Sequence, residues 1–136
     1  MSNSIKTLML REHGKINSFL TEYERDPSLK KFNDFKWALE KHFFVEEKVI
    51  FDIYNNSNDQ EIEELNQLIV EHKDMLWLLS GIEDNEENST RISILKKILP
   101  EHVRFENEIF YPRLDEELDE EKKKLIIERC SEIFRE

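Results

Sequence analysis

Among 136 residues there are one cysteine, two glycines and three prolines. The single thiol, Cys130, excludes an internal disulfide and the clustered thiolates of structural zinc or iron–sulfur sites. With so little Gly and Pro, and 38% charged residues, the chain has few breaks and is expected to form long helices joined by short turns. Positive charge is also scarce: 20 Lys and Arg face 31 Asp and Glu, for a net charge of −11 and a pI near 4.9. Such a chain repels polyanions, so neither nucleic acid nor an anionic membrane surface is expected as a partner. No apolar run approaches the roughly eighteen residues of a membrane span. The opening stretch MSNSIKTLML has one Lys and no apolar segment of signal length, which, with the unpaired cysteine, points to a cytoplasmic location. The length predicts one domain, residues 1–136, with a single core.

Apolar residues recur at helical spacing along nearly the whole chain. The first stripe is Ile5, Leu8, Met9, His13, Ile16, Phe19, Leu20 and Tyr23, with Ser4 as its N-cap. Asp26 followed by Pro27 predicts the start of a second helix running to about Tyr54, with Phe32, Phe35, Leu39, His42, Glu46, Val49 and Ile53 on one face. NNSND, 55–59, reads as a turn. A third helix carries Ile62, Leu65, Leu68, Ile69, His72, Met75, Leu76 and Leu79 and stops at Gly81. GIEDNEENS, 81–89, reads as a loop, with Ser89 capping a fourth helix that carries Leu95, Ile98, Leu99, His102, Phe105, Glu106 and Ile109. Pro100 should kink that helix and Pro112 should end or bend it. The remainder is a further amphipathic helix, with Leu118, Leu125, Ile126, Cys130 and Ile133 inward and its charges solvated. Helices of this length with short connections predict an all-α, antiparallel up-down-up-down four-helix bundle over about 5–118, with a C-terminal helical tail over about 119–136.

The four histidines, His13, His42, His72 and His102, each fall in the apolar stripe of a different helix, spaced by 29, 30 and 30 residues. In an antiparallel bundle this brings them to a similar depth. The segments HFFVEEKVIF and HVRFENEIFYP both place Glu four residues after His, as His42/Glu46 and His102/Glu106. EHGKI at 12–16 likewise parallels EHKDM at 71–75, an internal two-fold likeness. One histidine on an apolar face is usually a hydrogen-bonded core residue. Four together, with two buried carboxylates, would leave polar atoms unsatisfied at about 1–3 kcal/mol each, and a metal removes that penalty. Residues i and i+4 share a helix face, so each His/Glu pair can reach one centre. Six such ligands are too many for a closed tetrahedral zinc site and suit two neighbouring ions with the carboxylates spanning both. The residues three before the histidines are Leu10, Leu39, Ile69 and Leu99, so the Glu-x-x-His pattern of ferritin-like centres is absent.

The set His13, His42-x-x-x-Glu46, His72, His102-x-x-x-Glu106, with FYP closing the fourth helix, resembles the hemerythrin-like HHE cation-binding domain over about residues 5–118. The resemblance implies the hemerythrin four-helix bundle and a non-haem di-iron centre of two iron ions with an oxo or hydroxo bridge. It assigns His13 and His42 to one iron and His72 and His102 to the other, with Glu46 and Glu106 bridging. Oxygen carriers of the family have a further histidine where this chain has Leu76 and an aspartate where it has Asn107. The expected function is therefore binding of O2, NO or peroxide at the di-iron centre, in sensing, storage or detoxification. The alternative is an enzyme-like role in nitric oxide or peroxide reduction or in iron donation for iron–sulfur cluster repair. Asn17 and Tyr111 are the nearest candidates for a proton relay. Ile16, Val49, Met75, Leu76, Phe105 and Ile109 are expected to form the apolar pocket. A bis-histidine haem bundle is the remaining reading, and it gives the glutamates no role.

Overall fold

The computed structural model describes residues 4–57, 63–80 and 88–135, all of them in helices or their short connections. Helix α1 (Ile5–Arg25) begins at Ser4, whose hydroxyl accepts from the Thr7 amide. Its first two amides are also taken by Asp115, at 2.8 and 3.1 Å, an acid from a distant helix placed on the positive end of the dipole. The second helix, α2 (Leu29–Val45), starts two residues later than Asp26-Pro27 predicts. Ser28 is extended and its side chain caps Lys31, while Asp26 closes α1. The chain then makes a π turn, Glu46–Ile50, and continues as α3 (Phe51–Asn56). Asn55 and Asn56 are thus still helical, and Asn58 and Asp59 lie outside the described residues.

Helix α4 (Glu63–Ser80) precedes α5 (Asn88–Phe105). The expected stop at Gly81 and most of the expected loop fall outside the described residues. Ser89 is not the cap, because α5 already includes Asn88. Pro100 lies within α5, and a second π turn, Glu106–Phe110, leads into α6 (Tyr111–Glu117). Pro112 therefore does not end the fourth helix: it sits in the first turn of α6, where a missing N–H is tolerated. Leu118, extended at φ −84° and ψ 142°, is the actual break. Asp119 then accepts from the Lys122 amide to start α7 (Glu120–Arg135). The four bundle members are α1, α2–α3, α4 and α5–α6. The extra C-terminal helix α7 packs on α1, α2 and the first π turn. Ile126 and Cys130 are its fully buried residues; Leu125 is 37% exposed, against expectation, because one residue of rotation turns it off the seam. Burial raises the Cys130 thiol to about 12. No helix among the described residues is long and apolar enough to cross a membrane.

Both π turns begin at the glutamate of a His/Glu pair. The Phe51 amide reaches back five residues to the Glu46 carbonyl, and the Tyr111 amide does the same to Glu106. One extra residue per turn shifts the helical phase by about 100°. Ile53 is consequently only partly buried and Ile109 is 47% exposed, whereas Tyr54 and Phe110 are buried. Expected substitution effects follow this shifted phase. Phe110→Ala should destabilise the fold by about 3–5 kcal/mol, and Ile109→Ala by about 0.5 kcal/mol or less. Urea unfolding of the two variants checks this, and a reversed order would mean the π turn is misplaced.

Two apolar clusters occupy the two ends of the bundle. One gathers Ile5, Met9, Ile50, Phe51, Phe110 and Leu114; the other gathers Phe35, Leu39, Phe43, Met75, Leu79 and Leu95. Along every bundle helix, the predicted histidine falls at the boundary between them.

Candidate metal centre

His13, His42, His72, His102, Glu46 and Glu106 form a polar layer between the two apolar clusters, each of them buried. All six residues expected from the sequence are brought together. One atom each from His13, His42, Glu46 and Glu106 lies within 4.8 Å of the others, and the same holds for Glu46, His72, His102 and Glu106. The two glutamates belong to both groups.

The histidine rings are oriented from outside the layer. His72 Nδ1 donates to Glu47 Oε2 and His102 Nδ1 donates to Glu71 Oε1, both at 2.7 Å. A carboxylate can only accept, so these contacts place the proton on Nδ1 and turn the bare Nε2 inward. His13 Nδ1 donates in the same way to Asn107 Oδ1 at 2.8 Å. Asn107 thus fixes a ring of the layer that belongs to another helix. His72 is also stacked between Phe43 and Phe51, at ring separations of 4.0 and 5.9 Å.

Inside the layer, His13 Nε2 accepts from His42 Nε2 at 3.1 Å, which leaves His42 Nδ1 buried with no partner, and His42 Nε2 also lies 2.7 Å from Glu46 Oε1 without the alignment of a hydrogen bond. Glu106 Oε1 is 3.4 Å from His13 Nε2 and 3.3 Å from His102 Nε2. Both oxygens of Glu46 and of Glu106, with Nε2 of His72 and of His102, are buried with no hydrogen-bond partner. At about 1–3 kcal/mol for each unsatisfied atom, this arrangement is unstable as a purely protein layer. Convergent, unpaired nitrogen and carboxylate lone pairs are the donor set of a transition-metal cation, and the residues present fit one.

The same crowding sets the protonation of the empty layer. Burial, followed by the facing Glu106, pushes the Glu46 carboxyl well above its ordinary value. Burial acts on Glu106 too, but the close approach of Glu46, His102 and His13 outweighs it and holds that carboxyl well below. The two facing carboxyls are thus driven in opposite directions, and Glu46 is the one that holds a proton more readily. Burial, with neighbouring His13, lowers His42 well below the usual imidazole value. Burial would lower His102 as well, but Glu106 and Glu71 raise it. Tyr111, buried beside both glutamates, is held well above the usual phenol value, with its hydroxyl 3.4 Å from His13 Nε2.

The Hemerythrin HHE cation binding domain family matches residues 4–114. The chain belongs to that family. It is therefore a metal-binding protein, and the buried His/Glu layer fits that property. No curated protein sequence and no solved structure matches this HHE chain. The family match ends before α7, which is an addition to the matched HHE bundle.

The expected apolar pocket divides in the structure. A cavity of about 440 Å³ between α1, α2 and α5 is lined by Ile16, Leu39, Phe43 and Leu99 and reaches His13, His42 and His102. Met75 and Phe105 line a different cleft, between α4 and α5. Leu76 is partly buried at the rim of a surface cleft with Trp37 and Phe44. Ile109 leaves the pocket altogether, turned outward by the second π turn. Of the two relay candidates, Tyr111 is at the layer and Asn17 is exposed at the rim of the α1–α2–α5 cavity. Sequence reasoning missed the orienting roles of Glu47, Glu71 and Asn107. Their one signal is that each adjoins a member of the layer in sequence (Glu46, His72 and Glu106), but each orients a histidine of another helix.

Proposed function

We propose that the polar layer holds two iron ions, one on His13 and His42 and the other on His72 and His102, with Glu46 and Glu106 serving both. The observation that carries this reading is the sharing of both glutamates by the two four-residue groups. When bound, such a pair supplies reversible redox chemistry and open coordination positions for O2, NO or peroxide. The protein's part is to turn Nε2 of His13, His72 and His102 inward, exclude water with two apolar clusters, and admit a small neutral ligand through the α1–α2–α5 cavity. Tyr111 stands beside the layer as a neutral phenol that can donate a hydrogen bond. We place the protein in a reducing compartment such as the cytoplasm, where its lone thiol has no partner to oxidise with. Elemental analysis of purified protein, with an absorption spectrum before and after O2 or NO, tests the reading. Two irons per chain and a spectrum that responds to either gas are expected; a single ion, or haem, would overturn it.

The orienting carboxylates are expected to matter in proportion. Glu47→Ala and Glu71→Ala free His72 and His102, respectively, to rotate or change tautomer, and should each weaken metal binding about 10–100-fold with little change in fold. Competition against a calibrated chelator measures this, and wild-type affinity in both variants would show that the rings are held by packing alone.

A further inference from the structure

Three of the four layer histidines have their outer nitrogen held by a partner, and the fourth does not. Nδ1 of His13, His72 and His102 donates to Asn107, Glu47 and Glu71. Nδ1 of His42 is buried with no hydrogen-bond partner. The internal two-fold likeness of the chain points to where a partner belongs. It matches Glu12-His13 with Glu71-His72, and His42-x-x-x-Glu46 with His102-x-x-x-Glu106. Under that exchange Glu47, which follows Glu46 and holds His72, corresponds to Asn107, which follows Glu106 and holds His13. Glu71, which precedes His72 and holds His102, corresponds to Glu12, and its histidine corresponds to His42. The separations agree: 31 residues from Glu71 to His102 and 30 from Glu12 to His42.

Glu12 and His42 line the same cleft, between α1, α2 and the end of α7, where Phe134 stacks on the His42 ring at 6.2 Å. The other carboxylate of that cleft, Asp34, sits about two turns before His42 on the same helix and is paired with Lys30. Glu12 is 7% exposed, yet its ion-pair partners, Lys15 at 3.1 Å and Arg11 at 3.9 Å, are both more than half exposed. From this placement we propose that Glu12 is the positioning residue of His42, accepting from its Nδ1 when the ring offers Nε2 to a cation. The inference rests on the proposed metal centre. In the metal-free layer His42 Nε2 donates to His13, so Nδ1 is a bare acceptor that a carboxylate cannot bond. Glu12 is then left to Lys15, an i,i+3 contact with an exposed lysine and of little strength. A neutral imidazole whose Nε2 is a ligand carries its proton on Nδ1, the tautomer that the other three rings already hold. Glu12 turns from Lys15 to that proton and completes the set of four orienting groups.

The test is anaerobic binding of ferrous iron by the full chain, measured in competition with a calibrated chelator, together with melting of the metal-free and loaded forms. Glu12→Ala should weaken binding about 10–100-fold. Glu12→Gln should stay within about threefold of the wild type, because an amide oxygen can accept the same bond, as Asn107 does for His13. Metal-free Glu12→Ala should melt within about 2 °C of the metal-free wild type, since only the contacts with exposed Lys15 and Arg11 are lost. Wild-type affinity in Glu12→Ala would overturn the assignment while leaving the centre intact. So would a Glu12→Gln variant as weak as Glu12→Ala, which would trace the loss to charge alone. A melting point lowered as much without metal as with it would make the residue structural, and would equally overturn the role. Failure of the wild type to bind ferrous iron would instead overturn the centre, and the role of Glu12 with it.

Discussion

Stripped of metal, the protein is expected to melt about 10 °C or more below its loaded form. The polar layer crosses all four bundle helices, and both oxygens of Glu46 and Glu106, with Nε2 of His72 and His102, have no hydrogen-bond partner there. A cation that binds only the folded chain stabilises it by about 4 kcal/mol at a thousandfold excess over its Kd. For a chain of this size each kcal/mol moves the midpoint by roughly 2–5 °C. Acidification should undo the gain. His42 is held neutral by burial and by His13, so below an ordinary imidazole pKa of about 6.5 the unfolded chain takes up a proton that the folded one refuses. That contribution is complete above 6.5 and is lost as the pH falls towards the depressed folded value. Protons compete with the metal for the same nitrogens over the same range. Melting curves with and without chelator, at pH 7.5 and 5.5, check both statements. Coincident curves at pH 7.5 would mean that the layer is satisfied without a cation.

Glu46→Gln should separate stability from metal binding, with opposite signs. In the metal-free protein the Glu46 carboxyl is raised by burial and by Glu106. Above the ordinary value of 4.5 the unfolded chain releases its proton while the folded chain retains it, so the residue destabilises the fold increasingly as the pH rises. An amide has no proton to lose and little change in shape. The metal-free variant should therefore be more stable than the metal-free wild type at pH 7, on the order of 1–3 kcal/mol, and equal to it near pH 4. With metal the order should invert. The amide replaces a charged residue shared by both groups, so in the proposed two-ion centre both ions should be lost, whereas His13→Ala should remove chiefly one. Chemical unfolding of both forms at the two pH values, with metal per chain, reads these outcomes. A variant that keeps its full metal content would remove Glu46 from the shared position.

The π turns explain why a sequence reading that located the layer misplaced its surroundings. Periodicity assumes 3.6 residues per turn, and it holds up to Glu46 and Glu106. There the carbonyl accepts from five residues on, and the stripe re-emerges one residue later, at Tyr54 and Phe110 rather than Ile53 and Ile109. The internal likeness seen in the two His/Glu segments extends to this backbone feature. Of the two expectations for Pro112, the stop fails for the same reason: just after a π turn the proline occupies a fresh first turn.

By itself the sequence determined that the chain is helical, that it folds as a bundle, and that four histidines and two glutamates share one depth. These follow from local quantities: residue propensity, apolar period, and nearly equal spacings along the chain. Tertiary structure alone decided which nitrogen of His13, His72 and His102 faces inward, because the partners Asn107, Glu47 and Glu71 come from other helices. It also decided that the expected apolar pocket divides, with one cavity reaching the layer between α1, α2 and α5 while Met75 and Phe105 line a different cleft. A helix's own pattern records which residues turn towards the core. The neighbour each one meets there depends on how the helices are set against one another, and no single segment carries that information.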